Sequence, residues 1–362
     1  PDHQSCALSK QSVKADHIIV IRFSALGDVA MTVPVIASLA AQYPKLRISV
    51  VSRPMARPLF QHLAPNVDFM AADVGSEYHG VRGLNPLYRR MVAKHPTAVA
   101  DLHDVLRTKF LRHRFTLEGF KVAHIDKHRK GKRRLCAQKN KELVQQPTSF
   151  DNYAEVFAKL GYPVSFSFTS IFPKEGADLT PLVPVVGQKG AKEVWVGLAP
   201  FAAHAGKIYP EEKMRDLIAL LNQRHPSWRF FLFGGGGRER DLLTAWAEPF
   251  PKTQCVGTLL HSLDEELILM SRLDAMVSMD SANMHLASVV GTPVVSVWGA
   301  THPFAGFMGW GQPAENAIQV EDLPCRPCSV YGNTPCLRGD FACMAGIAPE
   351  RIVKRIEEVV AK

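Results

Sequence analysis

The chain has 362 residues and a mass of 40.0 kDa, and at about 100–200 residues per domain this length predicts two domains. Apolar residues make up 46% and charged residues 21%, which is ordinary globular composition and excludes disordered, fibrous and small disulfide-stapled proteins. Lys and Arg exceed Asp and Glu by 43 to 34, and residues 101–141 alone hold 13 Lys and Arg against four acidic residues. This concentration of charge favours an anionic partner for one face of the protein.

The sequence predicts a cytoplasmic, soluble protein. Its longest apolar stretches, 194–203 and 289–300, fall short of the about 18 residues that a membrane-spanning helix needs. The polar segment Pro1–Asp16 shows no secretory signal. Seven cysteines, an odd number, do not fit an extracellular disulfide framework.

Strands and helices alternate along the first half. A β-branched strand and a glycine turn lead into an apolar helix, and a second strand and helix follow before two further strands. The predicted segments are His17–Arg22, the turn Phe23–Asp28, Val29–Ala41, Arg47–Val51, Arg53–Leu63, Thr97–Ala100 and Lys121–Ile125. This alternation predicts a parallel sheet covered by helices.

The second half repeats the pattern, and the chain closes with an amphipathic helix over Ala348–Ala361. The predicted segments are Glu193–Ala199, Pro210–Arg224, Trp228–Phe233, Gly237–Trp246, Asp274–Met279, a helix from Asn283, and Pro293–Trp298. The simplest arrangement is two tandem α/β domains, residues 1–172 and 193–346, joined by a Pro-containing linker at 173–192 and followed by the helix at 347–362. Because such sheets bind ligands at the carboxyl ends of their strands, the turns after the strands should face one cleft.

Asp28 lies at the start of the first predicted helix. A carboxylate there caps free N–H groups and suits the helix dipole, which is its ordinary structural role. The alternative is a general base held at the mouth of the cleft. Gly27 stands alone, so the turn is not a phosphate-binding GxGxxG loop.

The turn Met279–His285 also follows a strand and opens a helix. Free backbone N–H groups at such a point bind anions, and Asp280 at the strand end can accept hydrogen bonds from sugar hydroxyls. The structural alternative makes Asp280 or Ser281 a helix cap. His285 alone is more often a structural histidine.

Three further features follow other strands. Lys207 could contact a diphosphate, although a lone loop lysine is usually solvated. The tetraglycine Gly234–Gly237 allows close approach of the backbone to a ligand, and Glu239 behind it could bind ribose hydroxyls.

Together these motifs resemble those of the ADP-heptose:lipopolysaccharide heptosyltransferases, glycosyltransferase family 9. The resemblance rests on Arg22–Val29, on Lys207-x-Tyr209-Pro210, and above all on the long run from Asp280 through His285 to Pro293 with Trp298–Pro303. It extends over nearly the whole chain, in the expected order.

The resemblance implies the GT-B architecture, in which two Rossmann-like domains face each other across a cleft and the C-terminal helix returns to the first domain. It implies that Asp28 is the catalytic base, that Lys207 meets the diphosphate and that Asp280 binds heptose hydroxyls. It places the donor phosphates at Ser281, Ala282, Asn283, Met284 and His285, and the acceptor near Ser24, Ala25 and Gly27. Catalysis is expected to be inverting and metal-independent, with no cofactor, since no Asp-x-Asp motif is present.

The sequence departs from the family pattern at several donor positions. Ala202 and Ala203 stand where the family commonly has Thr or Ser, Ala282 where it has Gly, and His261 where an apolar residue meets adenine. The donor nucleotide is therefore the least defined part of the assignment.

The basic segment Asp126–Arg134 lacks the interleaved aromatics and the surrounding fold of a nucleic-acid site. We expect it to bind a polyanionic lipid A/Kdo acceptor and the negative inner face of the bacterial inner membrane, where each Lys or Arg contributes about 1 kcal/mol. The residues concerned are Arg129, Lys130, Lys132, Arg133 and Arg134. The alternative is a solvated loop.

Cys325, Cys328, Cys336 and Cys343 lie within 19 residues and could hold a tetrahedral zinc. Their spacing differs from the commonest paired CxxC pattern, which favours the alternative of free thiols.

The leading hypothesis is a peripheral heptosyltransferase, favoured as a monomer, that moves heptose from ADP-heptose to the inner core of lipopolysaccharide. The second is a family 9 transferase with another nucleotide sugar or acceptor. The third, from another class, is a non-catalytic protein that binds anionic glycolipid or nucleic acid through the basic segment.

Overall fold

A computed structural model describes residues 15–362 of the chain. It contains two all-parallel sheets in succession, each covered by helices, which confirms the predicted pair of Rossmann-like domains. Residues 1–14, which hold most of the polar N-terminal segment and the beginning of the predicted first domain, lie outside the described residues.

The first sheet has five strands in the order β3-β2-β1-β4-β5. Its elements are β1 His17–Ile21, α1 Leu26–Gln42, β2 Arg47–Ser52, β3 Val67–Ala71, α2 Gly80–Val92, β4 Ala98–Asp101, α3 Leu106–Leu117, β5 Lys121–His124, α4 Arg129–Leu135 and α5 Ser149–Lys159. The prediction of a helix over residues 53–63 is wrong. A 3-10 helix over Pro54–Leu59 stands there, because Pro58 lacks the N–H group that the interior of an α-helix needs.

The second sheet has six strands in the order β11-β10-β9-β6-β7-β8. Its elements, with the short α6 before it, are α6 Val183–Val186, β6 Trp195–Ala199, α7 Glu211–Arg224, β7 Arg229–Leu232, α8 Arg238–Ala247, β8 Thr253–Cys255, α9 Leu263–Ser271, β9 Ala275–Met279, α10 Ala282–Val289, β10 Val294–Trp298, β11 Ala317–Gln319, α11 Ala342–Ala345 and α12 Pro349–Val360. The segment predicted as the linker packs against the core, where Leu179, Leu182 and Val186 are buried.

The closing helix α12 packs on the second sheet, whereas the family resemblance implies that it returns to the first domain. Its buried residues Ile352, Val353, Ile356 and Val359 belong to the same apolar cluster as α7, β9 and β10. Four apolar residues on one helical face provide enough buried surface to fix the helix where it meets α7.

The two domains meet mainly through α1 and α10, which make extensive contact. Both helices begin at the carboxyl end of a central strand, α1 after β1 and α10 after β9. The first turns of these two helices therefore face one another across the cleft between the sheets. Within residues 15–362, no helix combines the length and hydrophobicity of a membrane span.

Candidate active site

A cleft of about 560 Å³ lies between the two domains at the carboxyl ends of both sheets. It brings together most of the predicted site residues from both halves of the chain. Those that line it are Ala25, Gly27, Asp28, Ala202, Ala203, Lys207, Glu239, Asp280, Ser281, Ala282, Asn283 and His285.

Asp28 stands in the first turn of α1, with its side chain about one-third exposed to the cleft. Its Oδ2 lies 2.9 Å from Nη2 of Arg22 and accepts a long hydrogen bond of 3.4 Å from the Ala25 N–H. Its backbone carbonyl accepts from the Tyr153 hydroxyl at 3.2 Å. The capping contact is thus present but long, and the ion pair with Arg22 is the closer interaction.

Lys207 and Asp280 form an ion pair on the opposite wall of the cleft. Lys207 Nζ lies 3.2 Å from Asp280 Oδ2, and the two side chains are 16% and 5% exposed. The same Oδ2 accepts a hydrogen bond of 2.9 Å from Thr301, a buried residue that follows β10. The second carboxylate oxygen of Asp280 has no donor among the described residues, so it is free to accept from a ligand hydroxyl.

The helix α10 begins at Ala282, two residues after Asp280, and its first turn packs against the first turn of α1, which holds Asp28. The Ser281 side chain meets Ser278 Oγ at 3.2 Å and does not cap the helix, so this helix start has no side-chain cap within residues 15–362. Burial lowers the pKa of His285 to about 4, so its imidazole is neutral at pH 7, and its Nδ1 has no partner among the described residues. Met284 differs from its neighbours because its side chain is fully buried in the core and does not line the cleft.

The far end of the cleft is formed by the loops after β6 and β7. Glu239 Oε2 accepts a hydrogen bond of 2.6 Å from the Gly235 N–H, which holds the carboxylate against the tetraglycine loop. Ala202 and Ala203 line the wall but offer no hydroxyl. His261 lies elsewhere: it is exposed outside this cleft, and its N–H donates to Glu265.

The predicted basic segment forms a short helix, α4, rather than a loop. None of its five named cations lines the cleft, and four of them, Arg129, Lys130, Arg133 and Arg134, are exposed. Lys132 is different because it is only 4% exposed and its Nζ lies 4.5 Å from the centre of the Phe307 ring. Burial lowers its pKa to about 8, and no hydrogen-bond or ion-pair acceptor contacts its Nζ within residues 15–362.

Sequence reasoning missed one group of cleft residues, Phe307, Tyr331 and Asn333. The last two come from the loop between Cys328 and Cys336, and Gly332 in the same loop packs against the Lys207 side chain. Phe307 and Tyr331 lie 5.9 Å apart, centre to centre. Phe307 and the two loop residues lie in irregular segments with no periodicity, and only the spacing of the cysteines drew attention to the loop.

The four cysteines surround a small cavity of about 20 Å³ lined also by Leu323, Leu337 and Phe341. They do not bear out the zinc hypothesis. No group of three or more His, Cys, Asp or Glu side chains in the described part of the chain is placed to hold a metal ion. The apolar lining favours neutral thiols, and burial raises the pKa of Cys343 to about 11.

Comparison with known proteins agrees with the geometry. The family model of glycosyltransferase family 9 (heptosyltransferase) matches residues 87–335. The structure of a family 9 glycosyltransferase from Veillonella parvula is 18% identical and has a TM-score of 0.71, with 96% of this chain and 98% of that chain covered. No curated protein matches the chain by sequence.

Two Escherichia coli structures share the same fold. The heptosyltransferase WaaC, solved with ADP, is 18% identical with a TM-score of 0.64, covering 95% of this chain and 99% of that one. The ADP-heptose lipopolysaccharide heptosyltransferase II is 17% identical with a TM-score of 0.66, covering 95% and 98%. Since the family model spans more than half of the sequence, the resemblance is confirmed: this chain is a glycosyltransferase and belongs to family 9, the heptosyltransferase family.

Proposed function

We propose that the protein is an inverting, metal-independent heptosyltransferase that moves heptose from ADP-heptose to the Kdo/heptose inner core of lipopolysaccharide. One observation carries the proposal. Asp28 of the first domain and the Lys207–Asp280 pair of the second line the same cleft, so a proton acceptor faces an anion-binding wall. E. coli structures of the same fold were solved with ADP and with ADP-2-deoxy-2-fluoro heptose.

In the proposed reaction the acceptor hydroxyl enters from the side of Asp28. Its oxygen forms a bond to the anomeric carbon while the bond from that carbon to the β-phosphate oxygen breaks. The bonding pair leaves with ADP, and the hydroxyl proton passes to the Asp28 carboxylate. A single displacement inverts the anomeric centre and needs one base, which contributes about 10²–10⁴-fold to the rate.

The leaving diphosphate gains negative charge during the transfer. Lys207 and the uncapped start of α10 supply positive charge at that point, which is the stabilisation that we assign to the donor side. Asp280 receives the sugar hydroxyls through the carboxylate oxygen that Lys207 and Thr301 leave free. Glu239 is assigned to the ribose.

The acceptor is assigned to the first domain and to α4. Lys132 presents a buried cation near Asp28, and the exposed cations of α4 extend the same positive surface outward. We propose that this surface contacts the anionic inner face of the bacterial inner membrane, where the lipid A/Kdo acceptor resides.

Calorimetric titration tests the donor. The protein is titrated with ADP-heptose and, at the same ionic strength, with UDP and GDP sugars. We expect preferential binding of the ADP sugar and its loss in Lys207→Met and Asp280→Ala variants. Preference for another nucleotide would instead assign the protein to a family 9 transfer with a different donor. Ala202 and Ala203, which lack hydroxyls, and His261, which lies outside the cleft, are the residues that favour this alternative.

Substitution of Asp28 by Asn tests the chemistry. This residue lies outside the part of the chain that the family model matches, so its role needs direct evidence. We expect turnover to fall by about 10²–10⁴-fold while donor affinity is retained. A variant with unchanged turnover would remove Asp28 from the mechanism without affecting the donor assignment.

A further inference from the structure

Arg22 is a buried cation whose position is set by the backbone. It follows β1 directly, and its side chain is 10% exposed. Nε donates to the Ser24 carbonyl at 2.7 Å and Nη1 donates to the Leu102 carbonyl at 2.8 Å. Because these two carbonyls come from separate loops, the guanidinium plane is held at both ends.

The third nitrogen of this fork, Nη2, meets Asp28 Oδ2 at 2.9 Å. The Ala25 N–H approaches the same oxygen at 3.4 Å. Both contacts fall on Oδ2, and Oδ1 has no donor among the described residues. The two oxygens of this carboxylate are therefore unequal, one anchored and one open to the cleft.

We propose that Arg22 is a positioning residue that keeps Asp28 ionised and turned so that Oδ1, not Oδ2, takes the proton of the acceptor hydroxyl. The inference rests on the proposed role of Asp28 as the base. A fixed guanidinium opposes protonation of the carboxylate that it contacts, so it also favours release of the proton to water after each turnover.

Several titratable groups surround Asp28, and burial shifts their pKa values. Burial lowers the pKa of His285 to about 4 and of His103 to about 3, so both are neutral above about pH 5. Burial lowers the pKa of Lys132 to about 8 and also lowers that of Lys127, so Lys132 is charged below about pH 7. Burial raises the pKa values of Tyr153 and Tyr331. Because these neighbours are the same in the native enzyme and in Arg22 variants, a difference in the acid limb between them reports the loss of the Arg22 charge.

The experiment compares Arg22→Gln and Arg22→Lys with the native enzyme by pH profiles of kcat/KM. For Arg22→Gln we expect turnover to fall by about 10²-fold, since misplacing a reacting group by about 1 Å has effects of that size. The acid limb should also move to higher pH, because a positive charge is lost from beside the base. For Arg22→Lys the limb should stay near its native position while turnover falls, since a single ammonium nitrogen cannot reach all three acceptors that Nε, Nη1 and Nη2 of Arg22 contact separately.

Lys189→Gln is the matched control. Lys189 Nζ lies 2.8 Å from Asp274 Oδ2 with side chains 13% and 36% exposed, values close to the 10% and 34% of Arg22 and Asp28. This pair joins the linker to the second domain, away from the cleft. Loss of a comparable ion pair there should leave the pH profile unchanged.

Chemical rescue separates positioning from a structural role. Guanidinium added to Arg22→Ala should restore part of the turnover, and ammonium at equal ionic strength should not. Full donor affinity by calorimetry shows that the variants are folded. An unmoved acid limb in Arg22→Gln together with no rescue would overturn the inference. Native turnover in Asp28→Asn would instead show that the base is wrongly assigned.

Discussion

Gly27 in α1 lies so close to His285 in α10 that a Cβ at position 27 would be 3.1 Å from the imidazole Cδ2 and 3.2 Å from the Ala282 Cα. We expect Gly27→Ala to separate the two helix starts, lower the free energy of unfolding by about 1–3 kcal/mol and reduce turnover. Thermal unfolding and initial rates measure both effects. Gly190→Ala is the control, because its nearest contact would be an ordinary 3.7 Å.

The low pKa of Lys132 predicts that activity falls on the alkaline side of the pH profile. Burial lowers its pKa to about 8, so its charge is lost as the pH rises through that value. We expect kcat/KM for an anionic acceptor to fall above about pH 8 in the native enzyme. In Lys132→Gln the value should be low throughout and show no such fall.

The low pKa of Lys132 also predicts that stability rises with pH, in contrast to activity. Its folded pKa of about 8 lies below the ordinary lysine value of about 10.4, so between these values the unfolded chain binds more protons than the folded protein. The free energy of unfolding contributed by this group therefore rises with pH across that window. Denaturant titrations at pH 7 and pH 10 measure this effect. Relative to Lys132→Met, the native protein should have a higher free energy of unfolding at pH 10 than at pH 7.

Lys207 and Asp280 should respond differently to the two donor fragments. Lys207→Met should weaken both ADP and the ADP sugar by about 1.5–3 kcal/mol, the range for charged hydrogen bonds. Asp280→Ala should weaken only the ADP sugar. Calorimetry with both ligands tests this, and Thr301→Val, which removes one contact to Asp280, should have an intermediate effect. Equal loss of ADP binding in both variants would contradict the assignment of Asp280 to the sugar.

The exposed cations of α4 predict membrane binding. Reversal of Lys130 and Arg133 to Glu should weaken binding to vesicles of anionic phospholipid by about 2 kcal/mol or more, because each nearby cation contributes about 1 kcal/mol. Arg215 and Lys354, exposed cations of the second domain, provide the control pair. Vesicle sedimentation at fixed ionic strength measures both. Equal losses in the two double variants would indicate nonspecific attraction.

The cysteines should differ in reactivity. Burial raises the pKa of Cys343 and of Cys136 to about 11, whereas backbone N–H groups of residues 338–341 outweigh burial and lower that of Cys336. We expect iodoacetamide at pH 8 to modify Cys336 before the other two. Peptide mass spectrometry identifies each product. Protection of all four loop cysteines, reversed by a chelator, would instead reveal a bound metal.

The central strands and the residues at their carboxyl ends were predictable because β-branched runs and helix starts are local signals. Asp28, Lys207 and Asp280 each follow such a strand, and the topology alone brings them to one cleft. The short strands β3, β8 and β11 escaped prediction, since three to five residues at a sheet edge carry little periodicity.

The rest depends on contacts between distant parts of the chain. Lys132 lies in a run of exposed cations, and only the approach of Phe307 from the other domain shows that it is buried. Arg22 belongs to the recognised motif, yet its pairing with Asp28 appears only when Leu102 fixes the guanidinium from another loop. In these cases the residue type predicted the chemistry, but only the packing shows which of several lysines or arginines is placed to perform it.

The position of α12 has a consequence for how such enzymes can be recombined. Because this helix stays with the second sheet, the chain passes from one domain to the other only once within residues 15–362. A single exchange point in the gene, near the codons for residues 173–192, would transfer one complete half to a new partner without separating any helix from its sheet. Chimaeras made there must preserve the contacts between the two halves, among them the match between Gly27 and the first turn of α10 and the approach of Lys132 to Phe307.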